Sequence, residues 1–171
     1  MKRFICFATF SFVLLMSFGM HVQAQPKEVT EVVTNTGYVT QKILPLDEGR
    51  VRVSYEAIGI VLSDTGSGLF HEATVHTLGG LTVEKGKTSD QQSWGVYNLQ
   101  NGDKVFVAST VAGEMNSEGQ GEQKGIITFT GGTGKCAGIK GSYTFTRHSL
   151  RPAVEGIGQN YTKGTIKYTL P

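Results

Sequence analysis

The sequence predicts an all-β protein, an eight-stranded antiparallel up-and-down β-barrel with a central cavity, preceded by a signal peptide. Residues 50–57 alternate polar and apolar side chains with a period of two, as a half-buried strand does. Similar stretches rich in Thr, Val, Ile, Tyr and Phe recur along the chain, separated by turn residues. Helical spacing of apolar residues is missing from every window of about a dozen residues. These three observations define the fold class.

The N-terminus has the organisation of a secretory signal peptide. Residues 1–3 are Met-Lys-Arg, and residues 4–19 carry no charge and include five Phe. Val22 and Ala24 suit the −3 and −1 positions of a cleavage site. The apolar run is shorter than the about 20 residues that cross a bilayer, so a membrane anchor is disfavoured. We therefore expect residues 1–24 to be removed and the protein to be secreted or periplasmic, without a membrane anchor.

Residues 25–171 form a single predicted barrel domain, and their charge excludes some partners. The whole chain of 171 residues has 16 Lys+Arg and 14 Asp+Glu, but Lys2 and Arg3 leave with the signal peptide. The exported domain is then neutral, which argues against nucleic acid as a partner. Cys136 is its single cysteine, so no disulfide can form within it. Cys136 is either a packed core residue or a free nucleophile.

The predicted strands are short and follow one another through tight turns. Asn101-Gly102 is the sharpest turn signal, because both residues tolerate positive φ. Glycine is abundant, at 23 residues, and suits hairpins and barrel corners. A β-sandwich is the competing architecture, with residues 149–160 as the connection long enough to cross between sheets. The eight strands are predicted at residues 30–44, 50–62, 70–84, 91–99, 104–113, 123–130, 140–148 and 161–170.

One glycine-rich segment matches a dinucleotide-binding pattern but lacks its context. Residues 132–137 read Gly-Thr-Gly-Lys-Cys-Ala after a strand-like stretch. A dinucleotide site needs a helix to begin there, with its N-terminus facing the pyrophosphate. Gly138 and Gly141 follow at once, and strand character resumes at Tyr143. We therefore expect a turn and no nucleotide cofactor.

The same segment resembles another group of proteins. Residues 127–141, Ile-Thr-Phe-Thr-Gly-Gly-Thr-Gly-Lys-Cys-Ala-Gly-Ile-Lys-Gly, look like the glycine-rich hairpin of allene oxide cyclase-like and dirigent-like β-barrels. Residues 161–164 and the ending Leu170-Pro171 are similar to the cyclase C-terminus. Cys136 stands where those families usually have an aromatic residue. The resemblance covers residues 127–171 and implies an eight-stranded barrel; it carries over no catalytic residue.

Candidate pocket residues follow from taking the apolar phase of each strand as inward. Aromatic side chains with a polar tip can orient a small hydrophobic ligand, although they also serve simply to fill a barrel. Arg147 falls in phase with two of them and points either into the lumen or to its rim. The candidates are Tyr55, Trp94, Phe129, Tyr143, Phe145 and Arg147.

Glu72 and His76 are weaker candidates for acid–base chemistry. They lie on one face of a predicted strand, but Ala73 and Val75 occupy the opposite, naturally inward face. A solvated outer pair is the simpler interpretation. No His or carboxylate cluster has ligand spacing, so we expect no metal and no cofactor.

Three functional hypotheses follow. The first is binding of a small hydrophobic molecule in the lumen, without chemistry. The second, implied by the resemblance, is a cofactor-free cyclase or isomerase of the allene oxide cyclase type. The third, also implied by it, is a dirigent-like scaffold, for which self-association is expected.

Overall fold

A computed structural model of the chain describes residues 27–114 and 120–171. The predicted signal peptide, residues 1–24, lies outside the described residues. Within the described ranges, no helix is long and apolar enough to cross a membrane. The chain there is almost entirely β-strand, with a three-residue 3₁₀ helix at Gly134–Cys136.

Eight antiparallel strands form one closed barrel in chain order. They are β1 (Glu28–Asp47), β2 (Arg50–Ser63), β3 (Thr74–Glu84), β4 (Lys87–Asn98), β5 (Lys104–Glu114), β6 (Gly121–Gly132), β7 (Lys140–Val154) and β8 (Ile157–Thr169). Each strand pairs with the next, and β8 returns to pair with β1 through residues Glu28–Thr40. Closure removes the sheet edges that a β-sandwich would leave open. The predicted barrel is confirmed, and residues 149–160 belong to β7, β8 and the turn between them.

Tight turns join the strands at the predicted positions near Gly49 and Gly86, and a further tight turn at Gly156 replaces the long connection predicted at residues 149–160. Gly49, Gly86 and Gly156 have φ of 75°, 82° and 80°, which is the left-handed conformation that glycine adopts without strain. The third strand begins at Thr74, four residues after its predicted start. Residues 64–73 instead turn beneath the barrel, and Glu72 has a positive φ of 58°. A regular strand is incompatible with that path.

The barrel has two different ends. The closed end is bounded by residues 64–73, the turn at residues 99–103 and the segment at residues 133–139. The open end is bounded by the turns at residues 48–49, 85–86 and 155–156. We call the parts of the lumen next to them the closed half and the open half.

Aromatic side chains fill the closed half. Phe70 is completely buried, and its ring centroid lies 5.5 Å from that of Tyr97, 5.3 Å from that of Phe129 and 5.5 Å from that of Tyr168. Edge and tilted contacts of this kind add stability beyond the area they bury. Cys136 lies in the same cluster, also completely buried. The closed half is therefore a conventional hydrophobic core.

A buried carboxylate holds the turning segment in place. Glu31 on β1 accepts hydrogen bonds from the backbone N–H groups of Leu69, at 2.9 Å, and Phe70, at 3.4 Å. The Tyr168 hydroxyl donates to the same carboxylate at 2.8 Å. Hydrogen bonds to an ionised acceptor are stronger than neutral ones. Glu31 thus fixes Phe70 beneath the barrel.

Candidate functional site

The open half of the lumen contains a cavity of about 490 Å³. It reaches the open end, where Gly86 and Gly156 of the turns line it. Ligand pockets for small molecules commonly have volumes of about 300–1,000 Å³. The cavity is therefore large enough for a small organic molecule.

Aliphatic side chains form most of the outer wall of the cavity. The period of two along each strand brings every second residue to the lumen, and β1, β2, β3 and β8 all contribute. The wall residues with aliphatic side chains include Val39, Val51, Val53, Leu81, Val83 and Ile157. These surfaces favour an apolar ligand because covering them removes apolar area from water.

Polar side chains lie deeper in the cavity. Arg147 on β7 is in register with Gln123 on β6 and with Thr162 on β8, and all three line the cavity. The Arg147 guanidinium carbon lies 5.7 Å from the centre of the Phe145 ring. Burial lowers the pKa of Arg147, whereas the nearby Tyr55 and Tyr143 phenols raise it. The deep wall therefore combines one cation with neutral hydrogen-bonding groups.

Tyr55 connects the polar part of the cavity to its apolar wall. Its hydroxyl accepts a hydrogen bond from the Gln91 side-chain amide at 3.0 Å. The ring lies over Gly79 on the neighbouring strand, where a Cβ atom would come within 2.6 Å of the Tyr55 ring and of Ser93 Cβ. A glycine facing an aromatic ring is a recurrent way to seat a large side chain inside a small barrel.

The structure places three of the six candidate pocket residues in the cavity wall. Tyr55, Phe145 and Arg147 line the cavity. Phe129 and Tyr143 point inward but belong to the packed closed half. The Tyr143 hydroxyl hydrogen-bonds to Thr162 Oγ1 at 2.9 Å, and burial raises the pKa of Tyr143 to about 12. The prediction treated the lumen as uniform, whereas the closed half leaves these two no free volume.

The predicted inward orientation of Trp94 is wrong. Trp94 is 63% exposed on the outer face of β4. Gln91, Ser93 and Tyr97 occupy the inward phase of that strand instead, and all three are buried. The prediction assumed that the more apolar phase faces the lumen, but here the lumen side needs polar groups to line a cavity. On β4, therefore, the more polar set of side chains faces the lumen and Trp94 faces outward.

Glu72 and His76 do not form a lumenal pair. Glu72 lies in the turning segment before β3, and its backbone carbonyl accepts a hydrogen bond from the Gln100 side chain at 2.7 Å. His76 lies on the outer face of β3, where its Nε2 is 2.6 Å from Glu56 Oε1. These two positions match the solvated interpretation.

Sequence reasoning missed several polar residues of the cavity, notably Gln91, Tyr97 and Gln123. A signal for them was present in β4. Gln91, Ser93 and Tyr97 are separated by even numbers of residues, so they share one face of the strand and alternate with exposed residues. Choosing between the two phases requires the register with β3 and β5, which a single strand does not contain.

The glycine-rich segment at residues 131–137 is a structural turn. Asp103 accepts a hydrogen bond from the Lys135 backbone N–H at 3.1 Å. Gly134 has a φ of 53°, and a Cβ there would overlap the Asp103 carboxylate. The 3₁₀ helix ends after three residues and β7 follows, so the helix that a dinucleotide site requires does not form.

Cys136 and the metal-binding residue types carry no separate site. The Cys136 thiol is buried, and burial raises its pKa, which disfavours the reactive thiolate. Across residues 27–114 and 120–171, no group of three or more His, Cys, Asp or Glu side chains could hold a metal ion.

Two comparisons with known proteins identify no relative of this chain. No protein-family model matches the chain, and a search of curated proteins finds no significant match. The functional argument therefore depends on the cavity and its residues.

Proposed function

We propose that the protein is an exported barrel that binds a small, largely apolar molecule in the open half of its lumen. The observation that carries this proposal is the cavity of about 490 Å³, which is walled by aliphatic side chains and reaches the open end. A barrel needing only stability would be filled in both halves, because empty volume costs packing energy. The signal peptide predicted at residues 1–24 supports an extracellular or periplasmic place of action.

The composition of the wall favours binding over acid–base catalysis. Among the described residues that line the cavity there is no carboxylate and no imidazole; the titratable groups are Tyr55, Tyr97 and Arg147. General acid–base catalysis near neutral pH usually relies on a carboxyl group or a histidine. This composition supports simple binding ahead of the cyclase or isomerase hypothesis. The dirigent-like scaffold hypothesis additionally needs self-association, which sedimentation of the purified protein would test.

The test is titration of the purified protein with the neutral probe N-phenyl-1-naphthylamine, whose fluorescence rises in apolar surroundings. Saturable binding with a strong rise in fluorescence is expected.

A matched pair of variants locates the probe. Val39 lines the cavity, whereas its neighbour Thr40 is exposed and does not line it. Val39→Trp should weaken probe binding by about tenfold or more, since the indole occupies cavity volume that the ligand needs. Thr40→Trp should bind the probe as the unmodified protein does. Absence of saturable binding, or equal weakening by both substitutions, would refute lumenal binding.

A further inference from the structure

Arg147 is a half-buried cation without a counter-ion. Its Nε atom is buried, and the side chain lines the cavity. No hydrogen bond and no carboxylate within 4.0 Å is found for this side chain in the described part of the chain. Its guanidinium carbon lies 5.7 Å from the centre of the Phe145 ring. A buried charge is costly unless it is paired, so this arrangement needs an explanation.

Two other polar atoms in the same cavity also lack partners. Among the residues that the structure describes, the buried side-chain atoms without a hydrogen bond are Arg147 Nε, Gln91 Oε1 and the Tyr97 hydroxyl. All three residues line the cavity. Native proteins satisfy most buried polar atoms, and the exceptions often mark a bound water, ion or ligand. Arg147 is the charged member of this set, so it bears most on which ligand the cavity suits.

The chemistry of these atoms favours an acceptor with negative charge. Arg147 offers only donors, and its planar fork matches the two oxygens of a carboxylate. Burial raises the pKa of the Tyr97 hydroxyl, so this group stays protonated and can also donate. The Arg147 guanidinium can thus donate two hydrogen bonds to one anionic group.

The charge count distinguishes a carboxylate from a phosphate. Arg147 is the single cationic side chain among the described residues that line the cavity. A phosphate group carries close to two negative charges at neutral pH and is usually held by several donors and cations. One guanidinium balances one carboxylate. The aliphatic wall between Arg147 and the open end then leaves apolar surface for the rest of the molecule.

We propose that the deep wall of the cavity is a carboxylate-recognition site, in which Arg147 pairs with the acid group of an amphipathic monocarboxylate whose apolar body extends towards the open end. This proposal rests on the proposed lumenal binding function and specifies its ligand class. The guanidinium N–H groups of Arg147 donate to the two oxygens of the carboxylate. Water filling the same space would satisfy these atoms too, but it would create no preference for an anionic ligand.

The experiment compares two ligands of nearly equal shape, naphthalene-2-carboxylate and 2-naphthylmethanol, by displacement of N-phenyl-1-naphthylamine at pH 7.5. The carboxylate should bind the unmodified protein about tenfold more tightly than the alcohol, as expected for hydrogen bonds to a charged group. Arg147→Met should abolish this preference, so that the ratio of the acid affinity to the alcohol affinity falls to about one, since Met keeps apolar volume but offers no donor.

Two controls make the outcome specific. Arg52→Met removes an exposed arginine on the outer side of β2, which hydrogen-bonds to Thr82, and should leave the preference intact. The melting temperature of Arg147→Met should equal or exceed that of the unmodified protein, because an unpaired buried charge is removed.

The outcomes separate this proposal from the one on which it rests. Equal affinity for the acid and the alcohol in the unmodified protein, or a preference that survives Arg147→Met, would overturn carboxylate recognition while probe binding upholds the lumenal function. Failure of the probe itself to bind would refute both proposals.

Discussion

The closed and open halves of the lumen are built by the same eight strands, yet they hold different contents. At the closed end, Phe70 and Tyr168 pack against other rings, and the Glu31 carboxylate ties the turning segment to β1. At the open end, the strands face a cavity with aliphatic walls and unpaired polar atoms around Arg147. Stability is concentrated where the chain folds back beneath the barrel. The other half is therefore free to hold a ligand.

The largest expected effect is on the closed half. Phe70→Ala removes the ring that three other aromatic rings contact, so it should lower the free energy of unfolding by about 3–5 kcal/mol. Urea denaturation followed by circular dichroism measures the change.

A matched pair of valines provides the control for this comparison. Val61 is 1% exposed in the closed half, whereas Val39 faces the cavity. Val61→Ala should cost about 2 kcal/mol, and Val39→Ala about 1 kcal/mol or less, because Val39 already borders empty volume. Equal costs would mean that the two halves are packed alike.

Alkaline pH should lower the free energy of unfolding through the buried Tyr143 of the closed half. In the unfolded chain a tyrosine loses its proton near pH 10, whereas burial raises the pKa of Tyr143 in the folded protein to about 12. The folded state therefore keeps a proton that the unfolded state has lost. The resulting stability is fully present below pH 10 and is lost as the pH rises towards 12. Tyr143 alone should contribute a fall of about 2–3 kcal/mol across that interval.

Denaturation of Tyr143→Phe across the same pH range isolates this effect. The variant should start less stable, since it loses the hydrogen bond to Thr162, but its stability should fall less steeply above pH 10. Burial raises the pKa of Tyr97 and Tyr168 as well, so part of the alkaline slope should remain. A slope identical to that of the unmodified protein would contradict the assignment.

A further expected effect concerns the boundary between the halves. Gly79→Ala places a Cβ atom against the Tyr55 ring and Ser93, which should cost about 1–3 kcal/mol and displace Tyr55 from the cavity wall. Binding of N-phenyl-1-naphthylamine should weaken in parallel. Gly158→Ala is the control, because its Cβ would meet Val39 Cβ at 3.4 Å, an ordinary contact. Gly158→Ala should leave stability nearly unchanged.

The fold could be predicted from local information because strand and turn signals are local. The two-residue alternation in residues 50–57 and the positive-φ glycines at the hairpins require no knowledge of distant residues. Most strand bounds accordingly lie within a few residues of those predicted. The larger differences are the start of β3, where Phe70 leaves the strand path to fill the closed half, and the end of β7, which extends six residues beyond the predicted bound.

The candidate site was only partly predictable because orientation depends on pairing between strands. The inward orientation predicted for Tyr55 agrees with the structure, since β2 has an unambiguous apolar phase. The sequence left Arg147 between the lumen and the rim, and the structure places it in the cavity wall. The orientation predicted for Trp94 is wrong, because both phases of β4 carry large side chains, and shifting a strand by one residue exchanges its faces.

The amino-acid sequence by itself determined an all-β chain of eight strands, with turns at glycine-rich positions and a neutral net charge in residues 25–171. The tertiary structure decided that one half of the lumen is filled by Phe70 while the other stays open around Arg147. The physical reason is that alternation along a strand defines two faces but not the register that combines eight of them. Only closure of the barrel brings the orphaned atoms of Gln91, Tyr97 and Arg147 into one cavity.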